Sequence, residues 1–229
     1  MRLECSNLSF SYPGTEIIIL DKMDCAFTRP GFHSVFGPSG VGKSSFAKLI
    51  GVKANHPPEI ITENMNTILY SYNMERLPGW ASAGTHLQKV APQEKTALKQ
   101  QLIDAFELTP LLNSRFHQLS MGQQNRVNLI RYLLQDFDLL ILDESLANVD
   151  EKLREHIILT IKKLFSDKMF LYISHNLMEV STFCDQIMVF GSSQQTKSYQ
   201  MIEGQNCLEK TLIDHERRDQ TMLRIMNAF

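Results

Sequence analysis

The chain has 229 residues, of which 43% are apolar, enough for one large domain or one domain plus a small lobe around a sizeable core. Its formal net charge of −2 gives no electrostatic reason to expect nucleic acid or an anionic membrane as the main partner, and Lys162-Lys163 and Arg217-Arg218 read as solvated helix faces. Four scattered cysteines without metal-ligand spacing fit a reduced, cytosolic setting, the first residues lack a signal-peptide pattern, and no apolar run approaches the roughly 18 residues of a membrane helix, so a partner must lend any membrane role.

Leu3 to Tyr12 carries apolar side chains at loosely alternating positions, and Met23, Cys25 and Phe27 alternate strictly, as half-buried strands of an antiparallel lobe do. The turn Arg29-Pro30-Gly31 leads into a short strand, Phe32 to Phe36, that runs into a glycine-rich loop. A helix follows with Phe46, Leu49 and Ile50 on one face and a stop near Gly51. From Pro57 to about Leu119 the pattern changes to prolines, polar linkers and one clear helix near Lys95–Phe106, as in a helical lobe inserted into a strand–helix alternation. A second helix, about Gly122 to Leu134, has the stripe Val127, Ile130, Leu133 and Leu134.

Leu139-Leu140-Ile141-Leu142 is a continuous apolar run, expected of a strand buried on both faces of a parallel sheet. Asp150 can cap the helix Glu151–Phe165, which turns Leu153, Ile157, Ile161 and Leu164 inward. Met169–Ile173 and Ile187–Phe190 read as further buried strands, and Ser198–Ile202 as a hairpin return. The tail from Cys207 is helical in pattern, with Leu208, Leu212, Met222 and Met226 as docking residues. The fold class is α/β.

Gly37-Pro38-Ser39-Gly40-Val41-Gly42-Lys43-Ser44 fits GxxxxGK[ST] in full, after a strand and before a helix, the setting a phosphate-cradling loop requires. Its glycines let backbone N–H groups turn toward phosphate oxygens, Lys43 can reach the β- and γ-phosphates, and the Ser44 hydroxyl can ligate Mg²⁺. Ser45, the next residue, is counted with the loop. Asp143-Glu144 ends the strand Leu139–Leu142 on the sheet edge that carries the phosphate loop. Asp143 is expected to hold Mg²⁺ and Glu144 to polarise the water that attacks the γ-phosphate; alone, Glu144 would read as a helix cap or surface acid.

Leu119-Ser120-Met121-Gly122-Gln123-Gln124-Asn125-Arg126, ahead of that acidic pair, closely resembles the LSGGQ signature of ABC ATPases. It is a helix start with small residues, where Ser120, Gly122 and Gln123 can offer a hydroxyl and backbone N–H groups to an anion. The resemblance implies a P-loop NTPase core of mostly parallel sheet flanked by helices, with an antiparallel β lobe and an inserted α-helical subdomain. The ABC ATPase domain would span 1–204, with the insertion at about 74–135 and a helical tail over 205–229. It also implies that the signature completes the ATP site of a second ATPase subunit, giving a homodimer on ATP binding. Tyr12 is similar to the aromatic residue that stacks on adenine, although a core or edge-strand tyrosine reads the same way. Asn148-Val149-Asp150 is similar to the loop that communicates across the dimer, and Asp150 also suits a helix cap. His175 is similar to the switch histidine that contacts the γ-phosphate; Glu179 fits the family pattern without an assigned chemistry.

Four positions depart from the family. Asn73 stands where a glutamine usually meets Mg²⁺ or the attacking water, one methylene shorter. Met121 replaces a signature glycine, Ser145 a common proline, and Asn176 the aspartate after the switch histidine. No charged catalytic group is lost, so the expectation is an active but slow ATPase. The resemblance implies ATP and Mg²⁺ as ligands, and a separate transmembrane permease as partner, with a solute-binding protein reached through it and no nucleic acid. The place implied is the cytoplasmic face of the cell membrane. Arg76-Leu77-Pro78-Gly79-Trp80 is similar to the corresponding loop of nitrate, sulfonate and taurine importers. Two alternatives stay open: a non-transport ABC ATPase of the kind used in translation or DNA repair, and a nucleotide-binding regulator that hardly turns over, which Asn73 and Met121 motivate.

Overall fold

The computed structural model describes residues 1–51, 57–73, 75–76, 79–192 and 197–228. In chain order the strands are β1 (Arg2–Ser11), β2 (Ile18–Phe27), β3 (Gly31–Phe36), β4 (Ile60–Glu63), β5 (Ile68–Tyr72), β6 (Leu139–Asp143), β7 (Met169–Ile173), β8 (Gln186–Ser192) and β9 (Lys197–Glu203). The helices are α1 (Lys43–Gly51), α2 (Ala83–Val90), α3 (Thr96–Ala105), α4 (Met121–Leu133), α5 (Glu151–Leu164), α6 (Leu177–Phe183) and α7 (His215–Met226).

A three-stranded antiparallel sheet has the order β2-β1-β4, and Cys5 faces Cys25 across its ladder. The main sheet has six strands in the order β5-β6-β7-β3-β8-β9; its first five are parallel and β9 returns antiparallel on β8. Alternate residues of each buried strand enter different cores, as the two-residue strand period requires. Leu140, Leu142, Phe170, Tyr172, Ile187 and Val189 join the helices α2 to α7. Leu139, Ile141, Met169, Leu171, Ile173 and Met188 pack under α1 and the antiparallel lobe. A fully apolar run is therefore what this strand position demands.

One rung across the sheet fixes the site. Tyr72 pairs with Asp143, Asp143 with Ile173, and Ile173 with Val35. The residues that follow these partners, Asn73, Glu144, Ser174 and the loop after Phe36, therefore leave the sheet at one edge, the carboxyl edge where α/β sheets bind ligands.

Three expectations change. The stretch from Pro57 is not wholly helical: β4 and β5 complete the two sheets, and the helices between β5 and β6 start only at Ala83. Short polar-flanked strands such as Ile60–Glu63 lack the length to show a period. Lys162 is no solvated residue; it is 7% exposed and its ammonium donates to Phe183 O (2.6 Å), Asn206 Oδ1 (2.8 Å) and Cys207 O (2.7 Å). Burial pulls its pKa down to about 8. The tail docks through Thr221 and Ile225, while Leu208, Leu212 and Met226 stay exposed and Met222 is half-buried.

Candidate nucleotide site

The loop after β3 bends where only glycine is at ease. Gly37 has φ 152° and a Cβ there would lie 2.5 Å from Phe190 O; Gly42 has φ 115° and a Cβ would press on Ile19 and Leu20. Lys43, at the start of α1, is nearly buried and donates to the carbonyls of Gly37 (2.8 Å) and Pro38 (2.7 Å). Burial lowers its pKa, and the charges of Glu144 and Asp143 oppose that shift. Val41 buries its side chain, so it lends the loop only backbone, whereas Pro38, Ser39 and Gly40 are exposed.

Tyr12 is 43% exposed, which removes the core alternative; Phe10 meets its ring edge-on at 5.0 Å, and its hydroxyl lies 2.9 Å from Ser45 Oγ. A cavity of about 310 Å³ is lined by Tyr12, Ile19, Ser39, Gly40, Gly42, Lys43, Ser44, Ser45, Glu144 and His175. The structure thus brings together residues from four separate stretches of sequence.

Asp143 is held at both oxygens. Ser44 Oγ donates to Oδ1 at 3.2 Å and the Tyr70 hydroxyl to Oδ2 at 2.7 Å. Burial, then the bond to Asp143, pushes the Tyr70 phenol well above its ordinary range. Hydroxyl and carboxylate oxygens are hard donors, the chemistry that suits Mg²⁺, and an adjoining phosphate loop supplies the usual remaining ligands. The residues therefore fit Mg²⁺-ATP.

Glu144 stands in the left-handed region, φ 54°, an unfavourable place for a glutamate. Its N–H donates to Ile173 O and its carbonyl accepts from Ala147 N, so the ladder and the next turn hold it there. Its carboxylate lies 2.8 Å from His175 Nε2. The loop carrying His175 is anchored by buried Glu179, which accepts from Tyr172 OH (2.6 Å) and Ser174 Oγ (3.1 Å) and pairs with Arg154. Asn176 caps α6 by accepting from Glu179 N. Glu144 also lines two adjoining cavities of about 410 and 560 Å³.

Asn73 lines the 410 Å³ cavity with Ser44 and Asp143, yet its carbonyl oxygen accepts from Asn125 Nδ2 at 2.9 Å. Asn125 is buried and donates the same nitrogen to Ala147 O at 2.9 Å. Because a carbonyl only accepts, the Asn125 amide has one orientation and Asn73 must present oxygen to it. The atom expected to meet Mg²⁺ is thus already engaged with the signature helix.

At the start of α4, Ser120 and Gln123 cap each other: Ser120 N donates to Gln123 Oε1 at 2.8 Å, and Gln123 N to Ser120 Oγ at 3.4 Å. A Cβ on Gly122 would lie 2.0 Å from Asn148 O, so this glycine provides clearance for the neighbouring loop. Met121 occupies the first helical turn, exposed, and its sulfur takes a contact from Asn148 Nδ2 at 3.1 Å. Asp150 caps α5 by accepting from Lys152 and Leu153 N–H. Among the described residues that line the three cavities sharing Glu144, none is Ser120, Gly122 or Gln123.

Sequence reasoning missed Tyr70, Asn125 and the pair Ser71–Ser145, in which Ser145 Oγ donates to Ser71 O at 2.9 Å within the core. A serine inside an apolar strand and asparagines on a helix's buried stripe were the available signals. Of the stretch Arg76-Leu77-Pro78-Gly79-Trp80, Leu77 and Pro78 lie outside the described residues, and Trp80 is 79% exposed.

The ABC transporter family model matches residues 20–147. The spermidine/putrescine import ATP-binding protein PotA of Aliivibrio fischeri is 27% identical over 207 residues, 82% of this chain and 55% of that protein. The PotA protein of Salmonella typhimurium is 30% identical over 208 residues, covering 80% and 53%. The sn-glycerol-3-phosphate import ATP-binding protein UgpC of Chromobacterium violaceum is 28% identical over 209 residues, covering 82% and 56%. The chain spans about half the length of these curated relatives. Among solved structures, a dimeric ATP-binding cassette bound to ADP and Pi superposes with TM-score 0.68 at 22% identity, covering 81% of this chain and 93% of that one. A bacterial Atm1-family ABC exporter with ATP bound gives TM-score 0.73 at 18% identity, covering 99% and 41%. Both share the fold described above. With its phosphate loop, acidic strand end and signature helix inside or beside the matched region, the chain belongs to the ABC transporter family.

Proposed function

We propose that the chain is the ATP-binding and ATP-hydrolysing subunit of an import-type ABC transporter. It closes as a two-fold dimer around Mg²⁺-ATP and drives a separate transmembrane permease from the inner face of the cell membrane. The observation that carries this reading is the single cavity shared by Tyr12, the phosphate loop, Glu144 and His175. Relatives named as import ATP-binding proteins support the direction of transport.

In this reading Tyr12 receives the adenine, the loop from Gly37 to Ser44 receives the phosphates, and Lys43 exchanges its carbonyl partners for phosphate oxygens. Ser44 and Asp143 hold Mg²⁺, which neutralises phosphate charge. Glu144 orients the attacking water, and His175, within hydrogen-bond distance of it, fixes the Glu144 carboxylate. The tie between Asn73 and Asn125 favours slow turnover, and at its limit a second reading, a nucleotide-dependent switch that binds ATP and hardly hydrolyses it.

Steady-state phosphate release with Mg²⁺-ATP separates the two. Glu144→Gln keeps the shape and removes the charge, so kcat should fall about a hundredfold or more with little change in nucleotide affinity. Equal rates in both proteins would mean that the wild type does not use Glu144 for hydrolysis, and the enzyme reading would be lost.

A further inference from the structure

Tyr70 lies on edge strand β5, two residues before Tyr72, the ladder partner of Asp143. Its ring stacks on Tyr72 at 5.8 Å and 23°, and its Cβ lies where a Cβ on Gly51 would come within 3.0 Å. The phenol is thus wedged between the end of α1 and its neighbour on the strand, and from there its hydroxyl reaches Asp143 Oδ2 at 2.7 Å. The opposite carboxylate oxygen belongs to Ser44, at 3.2 Å. A carboxylate with one such partner can still rotate about its terminal bond; one gripped at both oxygens cannot.

We infer that Tyr70 is a positioning residue for the divalent-cation site, clamping Asp143 by Oδ2 so that Oδ1 stays turned toward the Ser44 hydroxyl. The inference rests on the Mg²⁺-ATP reading above and adds a residue to it. Tyr70 does not touch the ion; it acts through Asp143, as hydrogen-bonded partners of ligating carboxylates generally do. Tyr72 serves as the packing side of the clamp, while the two bonds that hold the Asp143 carboxylate come from the Ser44 and Tyr70 hydroxyls.

The test uses Mn²⁺ as the probe, titrated into the 229-residue chain loaded with a non-hydrolysable ATP analogue, with free Mn²⁺ counted by electron paramagnetic resonance. Tyr70→Phe should weaken Mn²⁺ binding about tenfold or more. Its nucleotide affinity in EDTA and its melting temperature should stay near wild type, and Tyr72→Phe should bind Mn²⁺ as wild type does. If wild type binds Mn²⁺ and Tyr70→Phe binds it equally well, the clamp is refuted while the nucleotide reading stands. If wild type with nucleotide holds no Mn²⁺, the cation site itself is refuted, and the clamp with it. A fold defect in Tyr70→Phe is bypassed by 3-fluorotyrosine at position 70, which keeps ring and hydroxyl. Its ¹⁹F resonance should shift when Mg²⁺ is added to the nucleotide-loaded protein, and an unmoved resonance overturns the proposal.

Discussion

His33 on β3 has no solvent exposure, and both ring nitrogens are in use: Nε2 lies 3.0 Å from Arg29 O, and Nδ1 accepts from Gln186 N at 3.3 Å. An amide N–H can only donate, so Nδ1 carries no proton and the ring is the neutral Nε2–H tautomer. Burial lowers its pKa below the ordinary 6.5, with nearby Asp185 opposing. A lowered folded-state value means that below 6.5 the unfolded chain takes up a proton which the folded chain refuses. Stability is present above pH 6.5 and is lost as pH falls toward the folded value, with a slope of up to about 1.4 kcal/mol per pH unit. His33→Gln, neutral throughout, should be less stable at pH 7.5 but lose less between pH 6.5 and 5.5. Urea midpoints of both proteins across that range check it; parallel curves would place the acid response elsewhere.

At the scale of elements, three pieces that meet far from the nucleotide site depend on one cation. Lys162 on α5 links the end of α6, through Phe183 O, to Asn206 and to Cys207, the stretch that leads into the tail. Lys162→Met keeps the stem and removes all three bonds, leaving buried carbonyls without a donor, so unfolding free energy should fall by about 2–4 kcal/mol. A chemical denaturation curve reads this directly, and Lys163→Met on the exposed side should cost under about 0.5 kcal/mol. Nothing in the Lys-Lys pair distinguishes the two residues; only the end of α6 and the path of the chain after β9 bring oxygens to one of them. The same limit explains what was legible elsewhere. Runs such as Leu139–Leu142 and the GxxxxGK[ST] loop carry their setting in neighbouring residues, so β3, β6, β7 and α1 were readable from the sequence. Tyr70 and Asn125 act across 73 and 52 residues of chain, on Asp143 and Asn73, and local pattern holds no trace of such partners.

At the scale of the whole molecule, the arrangement is complete on one side and unmatched on another. Tyr12, Lys43, Ser44, Glu144 and His175 line one cavity, while Ser120, Met121 and Gln123 stand at an exposed start of α4 that contributes nothing to it. The start of a helix presents N–H groups suited to an anion. The 3.4 Å bond between Gln123 N and Ser120 Oγ is a weak partner for one of them. In an isologous dimer each such helix start would face the phosphate loop of the other copy, and nucleotide would be part of the interface. Association should then depend on ATP, and blocking hydrolysis should prolong it. Light scattering on Glu144→Gln protein, with and without Mg²⁺-ATP, is expected to show the mass double only when nucleotide is present. A dimer of equal stability without nucleotide would assign the contact to another surface. A monomer that binds ATP would show that two copies of this chain do not close by themselves. Met121→Gly, which removes the side chain lying on Asn148, would then be the first change to make, because a helix start freed of that bulk can approach phosphate more closely.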